Sequence, residues 1–247
     1  MRPLAFLLLV PALLAQRERT TAHPRQITVP FVGCAASGQL EDFKAPSGTP
    51  HLVTISAGEA QKLAYYRAAI DLGVLAPRGW YCGGSSGSSG DALWLSPQPI
   101  VAGWKGFHGP AIEIYHISAG ASGMYEVAEI LARVFGEYKE QAAPVLALID
   151  RPVPSGPYPE DVLTYRSRSL VEFRTPPQTE GLGTHSTWLL KSNLPVSGAV
   201  IMLGKPAKNG EELPDLLLVA VRLPPALQQL TPVIVRDAER EAALPAQ

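Results

Sequence analysis

Charge is scarce in this chain. Asp, Glu, Lys and Arg make up only 17% of its 247 residues, against about a quarter in ordinary soluble domains. The net charge is −1, and no run of lysine or arginine stands out. A nucleic-acid backbone or an anionic membrane surface therefore finds no basic patch to hold. The 5 histidines show no H-x-H, H-x-x-x-H or H-E-x-x-H spacing, so no metal site is expected. With 2 cysteines and no C-x-x-C, a thiol redox motif and a cysteine-based zinc site are excluded as well. Beyond Ala15 no apolar run reaches the length of a membrane-spanning helix.

What is present points to export. Met1 to Ala15 reads as a signal peptide: Arg2 supplies the positive end and Leu4 to Ala15 the apolar stretch. Cleavage after Ala15 or after Ala22 fits. Losing Arg2 would leave a net charge of −2. Beyond the inner membrane, Cys34 and Cys82 are expected to form a disulfide. The loop that it closes is long enough to make it worth about 4 kcal/mol by chain entropy.

The stretch from Val74 to Pro97 holds Cys82, Trp80, Trp94 and the densest Gly/Ser run. Arg78, Trp80 and Tyr81 offer a cation and two amphipathic rings. Gly83 to Gly90 offers hydroxyls and backbone amides on a loop that a ligand can approach closely, and Ser85 and Ser86 lie within it. Gly83 to Gly87 also matches G-x-S-x-G with Ser85 as nucleophile. That motif needs a strand-to-helix turn, and here a strand follows. Its base would be His108, His116 or His185, oriented by Asp91 or Glu113. No convincing catalytic set emerges, so an enzyme is less expected than a binding module, and no cofactor is expected.

Periodicity supplies an outline. Ser56 and Glu59 form a capping box opening a helix with Ala60, Leu63, Ala64 and Ile70 on its apolar stripe, closed by Gly73. Ala111 to Ser118 is a strand, with Ile112, Ile114 and His116 on one face and Glu113, Tyr115 and Ile117 on the other. A second helix follows, capped by Ser122, with Val127, Leu131 and Val134 on its core side. Pro144 to Pro159 carries five prolines and is the natural boundary. Strands are expected at 162–166, 170–174, 187–190, 196–203 and 216–223. Thr231 and Pro232 then open a closing helix. Arg166 and Arg168 lie on one strand face and are candidates to contact an acidic ligand.

The fold expected is α+β: mainly antiparallel sheet, covered on one face, packed against three helices, with room for two lobes. The division is a signal peptide at 1–15, an extended segment at 16–48, an α+β lobe at 49–143, a proline-rich linker at 144–159, and a sheet with a final helix at 160–247.

The strings VLAPRGWYCGGSSGSSG, GPYPEDVLTYRS and TEGLGT resemble those of an uncharacterised family of exported bacterial proteins, over most of the chain from Cys34 to Ala238. The resemblance implies export and carries no ligand or catalytic residue with it. The expectation is a periplasmic or secreted binding module for an unidentified protein or envelope ligand, with no nucleic-acid partner. The binding surface would be Arg78, Trp80, Tyr81, Ser85 and Ser86. A serine hydrolase using Ser85 and His108, or a structural envelope component, are the alternatives.

Overall fold

The computed structural model describes residues 24–101, 103–204 and 212–243. The expected signal peptide lies outside the described residues. The chain opens with three short strands, β1 (Arg25–Val29), β2 (Phe31–Cys34) and β3 (Ala36–Ser37), followed by β4 (His51–Ile55) and the single-turn helix α1 (Ala57–Ala60). Next come β5 (Leu63–Ala68), β6 (Gly73–Pro77), β7 (Tyr81–Gly87), β8 (Gly90–Ser96) and β9 (Ala111–Ile117). Helices α2 (Met124–Val134) and α3 (Lys139–Ala147) precede β10 (Val162–Tyr165) and β11 (Leu170–Thr175). The chain closes with α4 (Leu182–His185), β12 (Val196–Met202), β13 (Leu216–Arg222) and α5 (Thr231–Ala242).

The main sheet has eight strands in the order β10-β11-β12-β13-β9-β8-β7-β3, antiparallel except for β3 against β7. Strand β13 lies inside it for a physical reason. Its sequence LLLVAVR is buried at every position. Leu217, Val219 and Val221 enter one core, and Leu216, Leu218 and Ala220 the other. A strand covered on both faces needs apolar residues in both registers.

The sheet is therefore covered on both faces, not one. On the first face lie α5, the pair β1–β4 and the sheet β2-β5-β6. Helix α2 lies on the second, with Val127, Ile130, Leu131 and Val134 packed on Ile117, Val171 and Leu218. Five helices are present among the described residues, against three expected. Two lobes are not confirmed. Strands β9 and β13, from opposite sides of the proline-rich segment, pair along their whole length in the middle of the sheet.

Several local expectations change. The capping box forms, with Ser56 N–H donating to Glu59 Oε2 at 2.7 Å and Glu59 N–H to Ser56 Oγ at 3.3 Å. The helix nevertheless stops at Ala60. Leu63, Ala64, Tyr65 and Tyr66 are all buried in β5, between β2 and β6, so burial on both sides displaces the helical stripe. Gly73 opens β6 rather than capping a helix. A Cβ there would meet the Tyr65 hydroxyl at 2.1 Å. Ser122 does not cap α2; its Oγ meets Ser88 Oγ at 3.0 Å. Pro144 lies inside α3. Residues 187–190 form no strand, only a single bridge from Leu189 to Phe107.

The disulfide is present. Cys34 ends β2 in the small sheet and Cys82 lies in β7 of the main one, with Cα atoms 5.6 Å apart. It fastens the two sheets to each other.

Candidate functional site

A hollow lies on the first face of the main sheet, where α5 leaves the outer strands uncovered. Its volume is about 530 Å³. The strands set its floor through their alternation. Val162, Thr164 and Arg166 of the β10 segment point into it, and so do Glu172 and Arg174 of β11. Cross-strand pairing places Val162, Arg174, Ser197 and Val221 in one row across β10, β11, β12 and β13. Gly198 is required there: a Cβ would meet Val219 O at 1.8 Å and the Phe173 ring at 2.7 Å. The first two turns of α5, through Thr231, Pro232, Val235 and Arg236, form the wall together with Gln228 ahead of the helix.

The charges in this groove are unequal. Three guanidinium groups line it, those of Arg166, Arg174 and Arg236, with one carboxylate, that of Glu172. Arg166 Nη2 donates to Glu172 Oε2 at 2.7 Å, which holds the guanidinium above its usual pKa. Arg174 and Arg236 are exposed and have no carboxylate partner among the described residues. Glu239, on the same helix as Arg236, interacts with Glu172, Arg166 and Arg236. Burial dominates and pushes its carboxyl up, with the two arginines opposing. Hydroxyls of Thr164, Ser197 and Thr231 add donors, while Val221, Leu223, Val235 and Pro195 give apolar surface. The N-terminal end of α5 adds a partial positive charge. The groove thus combines an excess of guanidinium groups with hydroxyl donors and apolar surface.

The residues expected from the sequence lie elsewhere. Arg78 braces the backbone: its Nε donates to Leu63 O at 2.9 Å and its Nη2 to Ala60 O at 2.7 Å. Trp80 is half-buried against the first core, and its N–H donates to the Tyr66 hydroxyl at 3.1 Å. Tyr81 is exposed. Ser85 and Ser86 are not in a loop. They lie within β7, paired with Ala92 and Asp91 of β8, so the strand-to-helix elbow of a hydrolase is not formed. His108 is exposed, and no hydrogen bond joins it to Ser85 among the described residues. His116 stands between two carboxylates, with Nε2 3.3 Å from Asp215 and Nδ1 3.9 Å from Asp91. Of the sequence candidates, Arg166 alone reaches the groove, and Arg168 is not part of its lining. Arg174 and Arg236 carried no signal in the sequence, because only strand pairing and helix packing bring them to one hollow.

No family model, no curated protein and no solved structure matches the chain.

The second face carries a buried polar framework, of which the sequence singles out Glu113 as a candidate acid but not Arg222. Glu113 is fully buried, and Trp188 N–H donates to its Oε2 at 2.7 Å. Burial pushes its carboxyl up to about 8, against the pull of that N–H. The Trp94 indole N–H favours the carboxylate, yet neither that N–H nor Glu113 Oε1 has a hydrogen-bond partner among the described residues. Arg222, equally buried, donates to the carbonyls of Phe107, Gly109, Leu189 and Leu190. Burial lowers its pKa to about 10. Together these groups fasten the segments bearing Trp104, Phe107 and Trp188, whose rings pack around Trp104 at 4.5 and 5.3 Å. The rings pack on one another, and Trp188 keeps an exposed face.

Proposed function

We propose that the protein is an extracytoplasmic binding module whose groove between β10–β12 and α5 holds an anionic ligand. One observation carries this reading: Arg174 and Arg236 line the same hollow, and neither forms an ion pair with a carboxylate among the described residues. Guanidinium groups without an ion-pair partner on a grooved surface suit carboxylate or phosphate recognition. The compartment is supported by the disulfide between Cys34 and Cys82, a bond that persists where the surroundings are oxidising, and by the leader-like sequence at Met1 to Ala15. No helix among the described residues is long and apolar enough to cross a membrane.

The test uses citrate as a small polyanionic probe and NMR as the readout. Amides of Thr164 and Ser197 are expected to shift in a saturable way. The double variant Arg174→Glu/Arg236→Glu should lose that response, with affinity falling about tenfold or more. Equal responses from the wild-type protein and the variant would refute the reading.

A further inference from the structure

The groove is bordered by an open strand. β10 ends the eight-stranded sheet and is paired only with β11. Its register shows which backbone groups are free. Arg166 N–H donates to Leu170 O at 3.0 Å, so the pair Arg166/Leu170 is hydrogen-bonded. Alternation along an antiparallel ladder then makes Thr164/Glu172 and Val162/Arg174 hydrogen-bonded pairs too. The N–H and C=O groups of Leu163 and Tyr165 therefore point away from β11. No strand or bridge takes them among the described residues.

Natural sheets blunt such edges with lysine, proline or a bulge. β10 reads VLTY, without charge or proline and high in strand preference. Val162 is 60% and Tyr165 58% exposed, so the edge presents apolar side chains as well as free backbone groups. The other end of the sheet, β3, has only 2 residues and offers almost no template.

Edge and groove share one geometry. The β10 residues facing the groove are Val162 and Thr164, followed by Arg166, while those with outward backbone groups are Leu163 and Tyr165. A strand added beside β10 would turn alternate side chains to the same face. Those side chains would border Arg166 and Arg174, with Arg236 on the opposite wall. Charge complementarity then fixes what they should be.

We infer that the ligand is an extended acidic peptide segment that adds to the sheet along β10 and turns alternate carboxylates into the arginine groove. The inference rests on the anionic-ligand reading above and names its partner. Main-chain bonds to Leu163 and Tyr165 provide affinity, and the guanidinium groups provide selectivity for acidic side chains.

The experiment uses the protein with its disulfide intact and three synthetic peptides. The first alternates glutamate with valine. The second has the same sequence, N-methylated on the backbone edge that would face β10. The third replaces glutamate by lysine. The first should bind and slow hydrogen exchange at the Leu163 and Tyr165 amides. N-methylation should weaken binding about tenfold or more and remove that protection. The lysine peptide should not bind, and Arg174→Glu/Arg236→Glu should abolish binding of the first.

If the N-methylated peptide binds as tightly as its parent, strand addition is wrong, while the anionic groove stands through its response to charge reversal. If charge reversal changes neither peptide nor citrate binding, the groove reading itself falls. Protection at Leu163 and Tyr165 with the lysine peptide too would overturn the assigned selectivity.

Discussion

Glu113 and Trp188 are joined across 75 positions of sequence by one hydrogen bond of 2.7 Å, from the Trp188 N–H to a carboxyl oxygen with almost no solvent exposure. The bond ties the segment before β12 to β9 at the centre of the sheet. A carboxyl held there retains its proton to a higher pH than one in water, and this has a measurable consequence.

Stability should fall as pH rises from about 4.5 to about 8. In the unfolded chain Glu113 loses its proton near 4.5; in the folded protein it keeps it to about 8. Between those values the folded state binds more protons, so the slope of unfolding free energy against pH is negative. Glu126, raised to about 7 by burial, and Asp237, raised to about 6 by burial, act in the same direction over narrower windows. Glu113→Gln should flatten the profile between about pH 7 and about pH 8, where Glu113 alone still titrates among the three. Urea denaturation across the range measures this, and an unchanged slope in the variant would count against the assignment.

Loss of Arg222 should be severe. Its guanidinium holds four carbonyls from two segments. Arg222→Ala leaves those carbonyls without their donor and a cavity where the buried side chain stood. The expected cost is about 3–5 kcal/mol. Equilibrium unfolding gives the number, and tryptophan fluorescence should report solvent entering the aromatic cluster. A cost under about 1 kcal/mol would show that water replaces the guanidinium.

Reduction should loosen the contact between the two sheets. Removing the Cys34–Cys82 bond, with its sequence separation of 48, should cost about 4 kcal/mol by chain entropy. Cys34→Ala/Cys82→Ala should show the same drop without reductant. A melting temperature unaffected by reductant would mean that packing alone fastens the small sheet.

Trp80 and the groove should separate cleanly. Trp80→Ala should lower the melting temperature, because the ring packs on the core. It should leave citrate binding untouched, because the ring does not line the groove. A loss of binding at full stability would move the recognition surface back to Arg78, Trp80 and Tyr81.

Ser85 should be inert. It lies within β7, opposite Ala92, without the turn that exposes a nucleophile. A fluorophosphonate probe should label wild-type protein no more than Ser85→Ala. Selective labelling of the wild type would revive the hydrolase reading.

How much was legible follows from the range of each interaction. The capping box at Ser56 and Glu59 was readable because both partners lie within one turn. The length of its helix was not, since Leu63 to Tyr66 satisfy a helical stripe and a doubly buried strand equally well. Arg166 stands out in the sequence as a strand-face cation, whereas Arg174 and Arg236 do not, because each is an ordinary surface residue until the sheet and α5 bring them together.

The sequence by itself determined the disulfide pair, since only two cysteines exist, and the interior place of β13, since an unbroken apolar run must be covered on both faces. It also determined the strand at β9 with its two faces. Tertiary structure decided which strands are neighbours, and through them the joining of segments on both sides of the prolines, the burial of Glu113 and Arg222, and the existence of the groove. The physical reason is that pattern and spacing record the needs of one element, whereas a site made by strands and a helix distant in sequence exists only once non-local pairing has placed them side by side.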